Sequence, residues 1–153
     1  MIPQHIQDIL AQQGLKPLEF EPGSTPTSEM AAERIGVQTA QIAKSILLVG
    51  KDGIFRMVVL RGDRKMASGK FKKITGIKHR MATPEETLQQ TGLRVGGVCP
   101  FGVNGIQIYI DGGLGEYDLI YPAAGTDASG VPMHMNDLVR ITNGHVCDFA
   151  QND

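Results

Sequence analysis

The sequence predicts an α+β fold with a mixed sheet flanked by short helices. Three observations carry that prediction. Helical and strand-like stretches interleave without the regular alternation of repeated βαβ units. An apolar run, Ile42 to Val49, is joined by Lys51-Asp52-Gly53 to a second run, Ile54 to Leu60, the pattern of a β-hairpin. Farther on, Ile106, Ile108 and Ile110 alternate with Gln107 and Tyr109, the period of a half-buried strand. A length of 153 residues fits one domain, 1–153.

The elements follow in order. Residues 3–13 read as a first helix, with Ile6, Ile9 and Leu10 on one side and Gly14 as its stop. Leu15 to Pro26 is extended and punctuated by prolines. Thr27 or Ser28 caps a short helix, Glu29 to Ile35, which ends at Gly36. After the hairpin, Ser68 to Ile74 forms a short helix ending near Gly76, with Phe71 and Ile74 as its core residues. Lys78 to Ala82 is a brief strand. Thr83-Pro84-Glu85-Glu86 starts a helix: a cap, a proline at the first position, then acids facing the dipole. Leu88 is its clearest core residue and Gly92 its end. Asp118 to Tyr121 and Val131 to Met135 read as further strands. Asn136 or Asp137 caps a last helix to Thr142, and Val146 to Phe149 is a terminal strand.

Between the Thr83 helix and the strand at Ile106 lies Gly92-Leu93-Arg94-Val95-Gly96-Gly97-Val98-Cys99-Pro100-Phe101-Gly102. Four glycines let the backbone approach a ligand closely, and Pro100 stiffens the turn. The N–H groups of such a loop can receive a carbonyl, carboxylate or phosphate oxygen. A tight structural turn is the competing account. Cys99 sits within the loop, but no histidine is near it in sequence to activate a thiol, which favours a turn residue over a nucleophile. Lys44 shares a strand face with Ile42, Ile46 and Leu48, and an ammonium on an apolar face is costly without a partner. It is either a cation at the mouth of a pocket or an edge lysine snorkelling to solvent.

Net charge is −1, unevenly placed. Residues 61–80 carry eight of the fifteen Lys and Arg against one acid, Asp63. A basic patch on an otherwise acidic chain suits a polyanion partner, with a solvated face as the alternative. Two cysteines, Cys99 and Cys147, do not form a disulfide framework or a zinc site, so a reduced, cytoplasmic setting is expected. The first residues lack the basic and apolar regions of a signal peptide, and no apolar run approaches a membrane span. No HExxH, CxxC, P-loop or dinucleotide fingerprint is present, and no cofactor or metal is expected.

Three stretches together resemble one family: Ala32-Glu33-Arg34-Ile35-Gly36-Val37 followed by Gln41-Ile42-Ala43-Lys44-Ser45-Ile46-Leu47; the loop from Thr91-Gly92 to Gly102; and Asn136-Asp137-Leu138-Val139. They resemble the YbaK-type aminoacyl-tRNA deacylases, related to the editing domain of bacterial prolyl-tRNA synthetases. The match runs from about residue 28 to the end, and its order and spacing make it specific. The resemblance implies a single deacylase domain with a barrel-like mixed sheet. It implies a trans-acting hydrolase that cleaves the ester of a mischarged tRNA, in particular tRNA for proline. Aminoacyl-tRNA is then the partner, with prolyl-tRNA synthetase as a second one. By the same resemblance Lys44 is the key cation. Gly96 and Pro100 frame the G-x-x-x-P loop, with Gly97, Val98 and Cys99 between them. His134 is set against a functional histidine in a late strand. Lys70, Lys72 and Lys73 of the basic segment are the expected contacts to tRNA phosphates. The rivals are a non-catalytic tRNA- or synthetase-binding module of the same fold, and a thiol hydrolase using Cys99.

Overall fold

A computed structural model describes residues 1–152. Helix α1, Gln4–Gln12, buries Ile6 and Leu10 on one side, as its spacing requires. Strand β1, Leu18–Glu19, lies in the extended passage that follows. Helix α2, Ser28–Ile35, begins where the Thr27 side chain accepts a hydrogen bond from the Met30 amide. Gly36 ends it in the left-handed conformation, φ 88°. Strands β2, Ile42–Gly50, and β3, Phe55–Arg61, form the predicted antiparallel hairpin, paired from Ala43↔Arg61 to Val49↔Phe55.

Helix α3, Ser68–Thr75, strand β4, His79–Met81, and helix α4, Pro84–Thr91, follow. The start of α4 is a reciprocal cap: the Glu86 amide donates to the Thr83 hydroxyl, and the Thr83 amide donates to the Glu86 carboxylate. Arg80 also holds Glu86, and together these bonds lower its carboxyl to about 2. Strand β5, Gln107–Asp111, β6, Tyr121–Pro122, β7, Ser129–Gly130, helix α5, Met135–Thr142, and β8, His145–Cys147, complete the chain.

The main sheet runs β4-β2-β3-β5-β8, with β6 added beside β2. The β2–β3 and β2–β4 pairs are antiparallel; β3–β5, β5–β8 and β2–β6 are parallel. The sheet is mixed, as predicted, and open rather than closed into a barrel. One face carries Ala43, Leu47, Met57 and Val59 against Ile6 and Leu10 of α1 and Leu138 of α5. The other carries Leu48, Val58 and Leu60 against Phe71 of α3. Phe71 meets Tyr109 edge-on at 5.1 Å and Phe149 at 5.8 Å.

Several boundaries differ from the sequence expectation. The expected strand Val131–Met135 is absent as such: β7 precedes it, Ile120 and Met133 form an isolated bridge, and α5 already begins at Met135. His134, not Asn136 or Asp137, caps α5; Asp137 accepts from the His134 amide at 3.0 Å. The expected strand at Asp118 starts only at Tyr121, and the terminal strand is His145–Cys147. Leu88 is 37% exposed while Thr87 is 3% exposed, because the cap fixes the phase of α4 and turns Thr87 inward. Ile74 is exposed as well, leaving Phe71 to anchor α3.

Candidate functional site

Strand β2 has two different neighbours on one edge. Strand β6 pairs with it at Ile42 and Ala43, and β4 at Leu48 to Gly50. Neither reaches Ser45. On that edge the last bond of the β4 side is Ala82 N–H to the Leu47 carbonyl, 2.9 Å. The sheet therefore splits at the middle of β2, and a cavity of about 330 Å³ opens in the split. Its walls come from the start of α2 (Thr27, Ser28, Glu29), from β2 (Ile42 to Leu47), from α4 (Thr87) and from the glycine loop (Val95, Gly96, Val98).

Lys44 lines this cavity. Burial pushes its ammonium below the ordinary lysine value; the carboxylates of Glu29 and Asp63 pull it back up, and Lys65 pushes it further down. No carboxylate lies within ion-pair distance of it among the described residues. Its cross-strand neighbour is Leu60, so it stands on the sheet face that α3 covers. Ser45, next in sequence, faces the other way, opposite Val59. Its hydroxyl is buried and has no hydrogen-bond partner among the described residues.

The glycine loop divides in two. Gly96 and Val98 line the cavity; Gly97, Cys99 and Pro100 do not. The Gly97 amide donates to the Arg94 carbonyl, 3.0 Å, which closes a turn inside the loop. The Val98 and Gly96 amides meet no protein acceptor among the described residues. Cys99 points into the core, fully buried, its thiol 3.8 Å from the Phe101 carbonyl. Burial pushes that thiol up to about 12, far from the thiolate a nucleophile needs.

His134 does not reach the cavity either. It sits at the exposed start of α5, its Nδ1 2.7 Å from the Asp118 carbonyl. The basic segment is more balanced than its sequence suggests. Arg61 is buried between Asp63 and Glu116, Arg80 pairs with Glu86, and Lys70 reaches Asp148 and the Ala150 carbonyl. Lys72 and Lys73 project from α3 without an ion pair among the described residues.

The sequence reading missed Thr25, Thr87, Tyr121 and Ser129 as cavity walls. Of the hydroxyl-bearing walls, only Thr27 and Ser28 carried a legible signal, as helix caps. The split in the sheet joins segments more than seventy residues apart, and no local pattern announces it. Among the described residues no group of three or more His, Cys, Asp or Glu could hold a metal ion. No described helix is long and apolar enough to cross a membrane.

Fold and cavity define an α+β domain with a pocket at an opened sheet edge, holding one half-buried cation and backbone donors that have no protein acceptor among the described residues. The chain belongs to the aminoacyl-tRNA editing domain family, whose pattern it matches over residues 22–141. It is 39% identical over 121 residues to the uncharacterized protein YwhH of Bacillus subtilis (strain 168), covering 78% of this chain and 76% of that one. It is 33% identical over 146 residues to a proline–tRNA ligase of Thermotoga neapolitana, covering 86% of this chain but only 25% of the ligase. Among solved structures it is similar to a candidate trans-editing enzyme for prolyl tRNA synthetase, with a TM-score of 0.88 and 32% identity, covering 97% of this chain and 96% of that one.

Proposed function

We propose that the protein is a trans-acting deacylase that hydrolyses the ester of a mischarged tRNA, with mischarged tRNA for proline as the substrate class. The observation that carries this reading is Lys44, a half-buried cation with no ion pair among the described residues, in the same cavity as the Gly96 and Val98 amides. Membership of the editing family and similarity to a segment of proline–tRNA ligases support this choice of substrate class.

An aminoacyl ester is already activated, so its hydrolysis needs positioning and polarisation more than a strong nucleophile. Lys44 holds the phosphate or ribose oxygens of the terminal adenosine. The loop amides of Gly96 and Val98 face the ester carbonyl and stabilise the negative charge that develops on its oxygen. A water, oriented in part by the neighbouring ribose hydroxyl, attacks the carbonyl carbon; the C–O bond to the ribose breaks and the ribose oxygen takes the proton. Cys99 has no part in this scheme, because its thiol is buried and fully protonated. Small apolar walls such as Ala31, Ala43 and Ala82 limit the acyl group by size. Lys72 and Lys73 meet phosphates of the acceptor stem.

The test is a deacylation panel of Ala-, Cys-, Ser-, Thr- and Pro-tRNA for proline with the purified protein. Turnover of at least one mischarged species, with Pro-tRNA spared, is expected. Turnover of none, alongside a working related deacylase, sinks the reading and leaves a tRNA-binding module.

A further inference from the structure

The open rung of β2 has an unassigned binding capacity. In an antiparallel pair, successive residues point their N–H and C=O groups to alternate edges. The Ile42 carbonyl accepts from Gly62 on the β3 side, whereas the Leu47 carbonyl accepts from Ala82 on the opposite side. Alternation then turns the Ser45 N–H and C=O to the same edge as those of Leu47. There β6 has ended and β4 has not begun. Neither group has a protein partner among the described residues, and Ser45 lines the cavity. A sheet edge with both groups unpaired is a template for an incoming strand, here with room for a single residue.

We propose that this rung binds the amino-acid part of the substrate as a one-residue β-partner, and that the site therefore requires a free α-amino group. This proposal rests on the deacylase reading and deepens it. An α-aminoacyl ester carries an ammonium donor and a carbonyl acceptor on one carbon, the complement of one residue's C=O and N–H. Set opposite Ser45, its ammonium donates to the Ser45 carbonyl, and its ester carbonyl accepts from the Ser45 N–H. A carbonyl oxygen has two lone pairs, enough for the Ser45 amide and one loop amide, and the third lone pair of the tetrahedral oxyanion receives the other loop amide. The alternation of β2 also places the two ends of the ligand. Lys44 faces the α3 side, and Ser45 the opposite side, so phosphate and acyl group divide across one strand edge.

The experiment uses three non-hydrolysable probes on the whole protein: 3′-alanylamido-, 3′-propanoylamido- and 3′-(N-acetylalanyl)amido-adenosine. Binding is read by titration while the backbone amide of Ser45 is followed by NMR. The alanyl probe is expected to shift the Ser45 amide. The propanoyl probe, which lacks the ammonium, should bind at least about tenfold more weakly, the weight of one charge-assisted hydrogen bond. The N-acetyl probe, which loses the charge and adds bulk, should bind at least as poorly. Equal affinities for the alanyl and propanoyl probes, or a Ser45 amide unmoved by a bound alanyl probe, would overturn the proposal. Because the readout is binding, the two readings separate. Turnover in the deacylation panel with no preference for the ammonium defeats this proposal alone. Ammonium-dependent binding without turnover of any tRNA supports the rung and defeats the deacylase.

Discussion

A side chain at Gly97 would have no room beside Thr126: a Cβ there would stand 2.6 Å from the Thr126 carbonyl carbon and 2.7 Å from its Cα. Both neighbours are backbone and cannot swing away. The glycine loop is thus pinned by a close approach of two main chains, while Gly96, at φ 100°, supplies the left-handed turn. Gly97 acts as a structural hinge-pin, and Gly96 and Val98 on either side of it meet the cavity.

Gly97→Ala should therefore cost stability as an overpacked core does, about 1–3 kcal/mol. It should also displace the Gly96 and Val98 amides and lower deacylation by more than the stability loss explains at a temperature where the variant is folded. Urea unfolding and single-turnover deacylation measure the two effects. Unchanged stability and rate in Gly97→Ala would mean that the loop accommodates the methyl by moving freely.

The hairpin was legible from its turn residues, and α4 from its cap and proline, because those signals are local. Leu88 was misplaced because an apolar residue in a short helix does not reveal which way the cap turns it. Lys44 was legible as an anomaly on an apolar strand. The distinction between Gly96 and Gly97 was not legible, because it depends on Thr126, a residue distant in sequence. The same holds for Ser45: its open rung exists only because β4 and β6 stop short of each other. Cys99 was doubted as a nucleophile for want of a nearby base, and its burial adds a second reason.

Cys99 should resist alkylation in the folded protein at pH 8, since its thiol, pushed up to about 12, is almost wholly protonated and shielded. Cys99→Ser should keep deacylation at a permissive temperature yet lose about 1–3 kcal/mol, because a hydroxyl replaces a thiol in an apolar site. Mass spectrometry after iodoacetamide, with and without urea, checks the first point. Fast labelling of native Cys99, or loss of all turnover in a folded Cys99→Ser protein, would return the thiol to the mechanism.

For Lys44 the sign of the pH effect follows from its depressed ammonium. The folded protein releases that proton at a lower pH than the unfolded chain, so between the two values the unfolded chain binds more protons. Stability from this group then rises with pH across that window, and at neutral pH the cost of a half-buried cation is present in full. Lys44→Met should thus unfold no more easily than the parent at pH 7, while losing most deacylation. Substrate binding that depends on the ammonium should weaken on the alkaline side earlier than an ordinary lysine, near 10.5, would dictate. A folded Lys44→Met protein with the parent rate would remove Lys44 from the site.

The lysines of α3 should divide by their partners. Lys70 is held by Asp148 and by the Ala150 carbonyl, so its charge is already spent within the molecule. Lys72 and Lys73 have no such partner among the described residues, and they project from the helix covering the sheet face on which Lys44 stands. If they meet phosphates of the acceptor stem, each releases counterions on binding, and neutralising each should reduce the slope of log K against log salt by about one unit. Lys72→Gln and Lys73→Gln should each flatten the slope for tRNA binding without moving the unfolding temperature. Lys70→Gln should leave the slope nearly unchanged and loosen the C-terminal segment, seen as faster amide exchange at Ala150 and Gln151. Equal slopes for the parent and the Lys72 and Lys73 variants would make this helix a solvated face and move the tRNA track elsewhere around the cavity.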